Sequence, residues 1–425
     1  MDFTPANADN PGYPGAGRWI YNTYYYDTPV RTDQQNLQGR LSHVQTWQTN
    51  VQQDAVYSYD NMGRVSWINY SFPSMNKWIR ISYWYDLQGN VVKKGMTDPD
   101  DLGNTLYTFY TYDAAGRLST VKTGQNSDMT GTVQAASYQY FASGKPKQLT
   151  LGTSPATTIT YKYNERDWLT NINAGKYWER IGYNNSNNDN NWGSVFSFSP
   201  QWNGNISWTA YSILGNPYPV GNTSATVGLS YAYDYANRLS KADFGYWAYV
   251  YKGPVLGYVW QWAATNAYDE KINNYDGNGN IIALQRYDNN GSLSDNLSYN
   301  YTQAGTNRLT SIGNAANGST YNYTYDPNGN LASDSHGKIT SVTYNSENLP
   351  LQVICNGTTT NYWYDSYGNR FRKQGGSTDE LYILGKDGET EAVFETSGML
   401  KFWNILAPQA GSPTGTESIG RIEKK

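Results

Sequence analysis

Tyr57-Ser58-Tyr59-Asp60-Asn61-Met62-Gly63-Arg64-Val65 returns 26 residues later as Tyr83-Trp84-Tyr85-Asp86-Leu87-Gln88-Gly89-Asn90-Val91, and 27 residues after that as Tyr110-Thr111-Tyr112-Asp113-Ala114-Ala115-Gly116-Arg117-Leu118. Two further clear copies are Tyr323-Thr324-Tyr325-Asp326-Pro327-Asn328-Gly329-Asn330-Leu331 and Tyr362-Trp363-Tyr364-Asp365-Ser366-Tyr367-Gly368-Asn369-Arg370. Weaker ones lie between: Tyr138-Gln139-Tyr140-Phe141 with Gly144, Tyr161-Lys162-Tyr163-Asn164, Tyr231-Ala232-Tyr233-Asp234 with Asn237-Arg238-Leu239, Tyr275-Asp276 with Gly279-Asn280-Ile281, and Tyr299-Asn300-Tyr301. A period of this length belongs to repeats that stack into solenoids or arrays.

The motif has a direct physical reading. Tyrosines two apart lie on one face of a strand, because successive side chains alternate sides. The aspartate that follows caps a turn, and the glycine three residues on accepts the left-handed conformation that closes a type I turn with a bulge. Asp60 and Gly63, Asp86 and Gly89, Asp113 and Gly116, Asp326 and Gly329, and Asp365 and Gly368 are therefore the expected structural turn residues. Sparse apolar residues resume after each turn, so every unit reads as a β-hairpin, and helical periodicity is nowhere sustained. A lone hairpin is marginal in water, so the units must pair edge to edge. The expected fold is all-β, an array of antiparallel hairpins wound into a spiral sheet. Two stretches break the pattern, an Asn- and Trp-rich one at about 175–227 and another at about 245–274. Both are expected to be irregular excursions on one face.

Composition agrees with a folded array. The 425 residues are 16% aromatic and 16% charged, with a formal net charge of -4. Disordered chains are poor in aromatics and rich in net charge, so disorder is excluded. A sequence pI near 5.3 argues against a nucleic-acid partner. The basic clusters Lys93-Lys94, Arg370 to Lys373 and Lys424-Lys425 read as solvated turns. The longest apolar stretch, Val255 to Ala264, is half the roughly 20 residues of a spanning helix and is expected to be a buried strand pair. Met1-Asp2-Phe3-Thr4-Pro5 lacks the basic-then-apolar profile of a secretory signal. Cys355 is the single cysteine, which excludes an internal disulfide and a cysteine zinc cluster.

The Tyr-x-Tyr-Asp-x-x-Gly-Asn/Arg-Leu units resemble the YD repeats of the RHS family, which includes bacterial polymorphic toxins, wall-associated proteins, toxin-complex components and the teneurins. The resemblance runs from about Tyr24 to Phe394. It implies a hollow β-shell enclosing a C-terminal effector polypeptide, in a secreted or cell-surface setting. It divides the chain into an irregular segment at 1–22, a YD-repeat shell at 23–385, and a tail at 386–425 that leads towards the family's core region and stops before it. No self-cleavage segment or effector is assigned.

Residues fit for chemistry are few. The sequence holds no Gly-x-Ser-x-Gly nucleophile elbow. His43 and His336 have no second His or Cys at metal spacing and are expected to be exposed hairpin residues. The Asp276 and Asp326 loops begin like calcium loops and then place Ile281 and Leu331 where glycine is needed. Asp98, Asp100 and Asp101 form one dense carboxylate group, read as a solvated loop against a weak hydrolase alternative. No catalytic, cofactor or metal residue is assigned. The rival function is polysaccharide recognition by off-repeat tryptophans, Trp192, Trp202, Trp208, Trp247, Trp260 and Trp262, whose rings stack on sugars.

Overall fold

The computed structural model describes residues 20–48, 51–98, 101–184, 198–213, 226–251, 258–301, 306–408 and 416–423. These residues form thirty-one β-strands, from Ile20–Tyr26 to Thr416–Glu423, and no helix. Every registered pairing between them is antiparallel, and most strands adjacent in sequence pair with one another, as hairpins in series require; an exception is Glu270–Tyr275, which pairs with Leu239–Tyr251. Backbone register shifts by one residue beside each motif turn, for example between Ser58 and Tyr59 and between Thr324 and Tyr325, which is the bulge the glycine permits.

The chain divides into two compact units, residues 1–133 with 360–425, and residues 134–359. In the first, the strands from Val51–Tyr59 to Asp101–Tyr112 share one core with the strands from Thr358–Tyr364 to Leu400–Pro408. Phe72, Ile79, Ile81, Phe371, Leu381, Ile383 and Phe394 are fully buried there. The expected tail at 386–425 is thus part of this core: Ala392, Phe394 and Trp403 belong to it.

The second unit is built differently. Its strand Ser319–Tyr325 alternates half-buried and exposed residues along its whole length, with Tyr321, Tyr323 and Tyr325 on the half-buried side. Buried residues gather there in small groups such as Trp208 with Ala210, and Val227 with Phe244 and Ala267.

Both stretches expected to be irregular carry strands. Leu239–Tyr251 and Tyr258–Ala264 pair from Gly245 opposite Ala264 to Tyr251 opposite Tyr258. Aromatic and β-branched residues recur there without the motif turn, and cross-strand packing alone suffices to make a hairpin. Tyr177–Gly182 and Trp208–Ile213 likewise pair over six residues inside the first stretch. The Asn run 185–191 lies outside the described residues, as do Lys424 and Lys425. Among the described residues no helix is long and apolar enough to cross a membrane.

Candidate functional site: the repeat turn and its tyrosine rung

Asp60 begins a turn in which its own N–H donates to the Arg64 carbonyl at 2.8 Å and Gly63 N–H donates to the Asp60 carbonyl at 2.9 Å. The carboxylate is used at both oxygens. Oδ1 accepts from the N–H groups of Met62 and Arg64, both at 2.9 Å, and Oδ2 accepts from Arg64 Nε at 2.7 Å. Asp113 repeats the pattern with Ala115 and Arg117. Hydrogen bonds from the side chain and then the backbone of Arg117 hold its carboxyl below the usual carboxylate range. Where the fifth residue is Asn, the amide replaces the guanidinium: Asn90 Nδ2 donates to Asp86 Oδ2 at 2.9 Å, and Asn330 and Asn369 do the same for Asp326 and Asp365.

Glycine is required for two reasons. Gly63, Gly89, Gly116, Gly329 and Gly368 all have φ between 75° and 94°. At Gly63 and Gly329 a Cβ would also collide with the guanidinium of an earlier arginine, Arg40 or Arg308. That arginine reaches forward from the preceding turn. Arg64 Nη1 donates to the Asp86 carbonyl at 3.0 Å, and its guanidinium lies 4.4 Å from the Tyr85 ring centroid. Arg238 does the same to Asp276 and Tyr275. Asn copies bridge forward by amides, as Asn330 does to Asn348 at 2.7 Å.

The second tyrosine of most motifs carries a rung absent from any reading of one hairpin alone. Its hydroxyl donates to a carbonyl just after the turn of the preceding repeat: Tyr59 to Leu41, Tyr85 to Val65, Tyr112 to Val91, Tyr325 to Leu309 and Tyr344 to Leu331, at 2.7–2.9 Å. Tyr183, Tyr275 and Tyr301 do likewise to Leu169, Leu239 and Ile281. The sequence distance spanned varies from 13 residues at Tyr344 to 36 at Tyr275, so the rung is constant while the arm length is not.

The rung exposes copies that the sequence pattern passes over. Tyr25-Tyr26-Asp27 and Gly39-Arg40-Leu41 form one motif split by an insertion, since Asp27 N–H donates to the Arg40 carbonyl as Asp60 does to Arg64. Asn345 stands for Asp with Asn348 at the left-handed position, as Asn164 and Asp167 do in the weak copy already visible at Tyr161-Lys162-Tyr163-Asn164. Tyr233 donates to Ile206, which makes Gly204-Asn205-Ile206 the end of a degenerate copy. In the turn from Gly385 to Glu389 the carboxylate has changed ends: Glu389 Oε2 accepts from Asp387 N–H at 3.0 Å, and its carboxyl fills the space that any side chain on Gly385 would need. Burial, then the neighbouring charge of Glu391, pushes the Glu389 carboxyl up to about 7.

Three ties cross the core of the first unit. Gln48, fully buried, donates to the Tyr362 carbonyl and accepts from Tyr364 N–H at 3.0 Å. Tyr110 hydroxyl donates to the Leu406 carbonyl at 2.9 Å. Lys94 Nζ lies 2.6 and 2.5 Å from the two oxygens of Glu391, both residues buried.

The other residues singled out fall as follows. His43 is buried, not exposed as expected: it stacks on Tyr25 and its Nε2 lies 3.1 Å from Asp54 Oδ1. It sits on a strand paired on both sides, which a lone His after a turn does not reveal. Burial works to raise the Asp54 carboxyl, and hydrogen bonds from His43 and Gln52 outweigh it. His336 is an exposed turn residue beside Tyr321. Asp98 and Asp101 pair across a strand end, and Asp100 lies outside the described residues. No cluster of three or more potential metal-ligating residues occurs among the described residues.

Two of the candidate tryptophans differ sharply in exposure. Trp208 is buried at 3% exposure, whereas Trp202 is 62% exposed with the Arg166 guanidinium 5.8 Å from its ring. Trp247 faces Trp262 and Tyr249 faces Trp260 in backbone register. Trp192 lies outside the described residues.

Residues 258–400 match the Teneurin YD-shell family model. No curated protein matches. Similar solved structures include the Tc holotoxin pore of Photorhabdus luminescens, at 12% identity and TM-score 0.28, covering 94% of this chain and 23% of that one. The TcdB2-TccC3 complex without its hypervariable C-terminal region is similar at 11% identity and TM-score 0.30, again covering 94% of this chain and 23% of that one. The chain thus spans about a quarter of the length of these structures' chains. The motif turns recur in both units, and residues 258–400 of this chain are similar to the YD-shell family.

Proposed function

We propose that the chain is a wall segment of a shell that encloses an effector polypeptide in a secreted or cell-surface toxin system, and that the wall itself performs no chemistry. The observation that carries this reading is the one-sided face of the second unit. Tyr161, Tyr231, Tyr299 and Tyr323 are half-buried while the alternate residues Lys162, Asn300 and Thr324 are exposed. A layer tied laterally by hydroxyl rungs and turn arginines holds together without a thick core, which suits a wall. The test is the reading frame beyond Lys425 at the source locus, followed by limited proteolysis of the full natural product. An effector segment that resists protease until the repeats unfold is the expected result. A frame without such a segment, or one digested at the same rate with the repeats intact, contradicts it.

A second reading, glycan recognition on the outer surface, is favoured by Trp202 alone, exposed beside Arg166. Trp202 lies two residues before Gly204, at the tip of the degenerate turn, which is where a repeat presents side chains to solvent. Loss of cell-wall glycan binding in Trp202→Ala is the outcome that reading requires.

A further inference from the structure

Six asparagines are followed directly by glycine: Asn203, Asn278, Asn290, Asn317, Asn328 and Asn356. In such a pair the next backbone nitrogen has no Cβ beside it, so it can approach the side-chain amide carbon of the asparagine. All six asparagines are exposed and lie between strands, so access to water does not tell them apart. What differs is whether the two groups that would react are tied down.

In four pairs the glycine nitrogen is held. Gly279 and Gly291 donate their N–H groups to the carbonyls of Asp276 and Asp288, both at 3.1 Å. Gly318 donates to the Asn314 carbonyl at 2.8 Å, and Gly329 to the Asp326 carbonyl at 3.0 Å. Asp276 and Asp326 are motif aspartates, so the turn that builds the sheet also occupies the nitrogen. At Asn203 the side-chain amide is held instead: Nδ2 donates to Asn237 Oδ1 at 2.7 Å, and Oδ1 accepts from Asn205 N–H at 3.0 Å.

Asn356 and Gly357 escape both restraints. They are the two-residue turn between Pro350–Cys355 and Thr358–Tyr364, with φ of 50° and 74°, and Asn-Gly is the pair that such a tight turn favours. Asn356 N–H donates to the Lys338 carbonyl at 3.1 Å, which anchors the turn without touching the reacting atoms. Among the described residues no hydrogen bond reaches the Asn356 side chain or the Gly357 N–H.

We propose that Asn356 is a site of spontaneous deamidation, with water as the only co-reactant. The Gly357 nitrogen gives its proton to hydroxide and attacks Asn356 Cγ. The N–Cγ bond forms, the Cγ–Nδ2 bond breaks, and Nδ2 takes a proton and leaves as ammonia. Water then opens the five-membered imide at either of its two carbonyls. Cleavage of the new N–Cγ bond leaves aspartate at position 356, and cleavage of the original peptide bond leaves isoaspartate. No oxidation or reduction occurs. Either product places a carboxylate at an uncharged turn, and the second also adds a backbone carbon to a turn of only two residues.

The experiment holds the full chain folded in mildly alkaline buffer and, in parallel, unfolded in urea. Fragment-resolved mass spectrometry of tryptic peptides then follows deamidation and isoaspartate at all six asparagines. In the folded chain Asn356 should convert first, at least about fivefold faster than Asn278, Asn290, Asn317 and Asn328, the rate equivalent of one hydrogen bond not broken. It should also lead Asn203. In urea, where every restraint is gone, the six rates should draw together. A smaller lead over those four, or any of the other five converting first in the folded chain, overturns the proposal. So does the same order and spread in urea, which would assign the rates to neighbouring sequence instead of to the turn.

Discussion

The same motif meets two environments in this chain. In the first unit the leading tyrosines Tyr83 and Tyr110 are buried, Tyr83 in the apolar core, while Tyr57 and Tyr362 are half-buried. In the second their counterparts Tyr161, Tyr231, Tyr299 and Tyr323 are half-buried on a face with little behind it. The turn chemistry is the same in both, from Asp60 with Arg64 to Asp326 with Asn330. The difference teaches that turn and rung make the sheet, while core packing is an addition that one unit has and the other largely lacks.

The largest effect should come from ion pairs. Glu391→Gln leaves Lys94 buried and charged without its partner, and such a break costs about 3–5 kcal/mol. Glu270→Gln in the second unit removes an exposed pair with Arg286 and should cost under about 1 kcal/mol. Hydrogen exchange over each unit's strands reads both losses, and equal losses would erase the contrast.

Glu389 gives the first unit a pH dependence. Its folded value near 7 lies above its ordinary 4.5, so the neutral form is the one that favours folding. That contribution is fully present below pH 4.5 and is lost as pH rises through about 7, on the order of 3 kcal/mol. Glu389→Gln should flatten the stability profile of the first unit in that window. An unchanged profile would place the titration elsewhere.

Turn glycines should behave alike in both units. Gly63→Val and Gly329→Val each force a β-branched residue to positive φ and displace an arginine, costing about 2 kcal/mol or more. Gly116→Val and Gly279→Val have open space and should cost less. Chemical denaturation ranks the four, and a ranking by unit instead of by arginine contact would refute the turn account.

The smallest effect belongs to the rung. Tyr85→Phe and Tyr325→Phe each delete one hydroxyl bond and should lose about 1 kcal/mol in either unit. Loss in the first unit alone would mean that the hydroxyls matter only where a core fixes them.

Much of the sheet is legible in the sequence because the motif is local. Asp60 and Gly63 lie within four residues of each other, so sequence spacing alone dictates their turn. Copies with exchanged chemistry are harder to see. Asn345 with Asn348 keeps the geometry with neither Asp nor Gly, and Glu389 supplies from the far end the carboxylate that Gly385 lacks. The split motif from Asp27 to Gly39 hides behind its insertion. Contacts such as Gln48 with Tyr364, more than 300 residues apart, leave no periodic trace. His43 and Trp208 read as surface candidates because burial depends on which neighbours the strands meet, and no local pattern records that.

Hydroxyl-radical footprinting of tyrosines in the native chain tests the central claim most directly. Tyr161, Tyr231, Tyr299 and Tyr323 should be modified in the folded protein, while Tyr70, Tyr83 and Tyr110 stay protected until it unfolds. Equal protection of the two sets would contradict the contrast between a filled core in one unit and an open tyrosine face in the other.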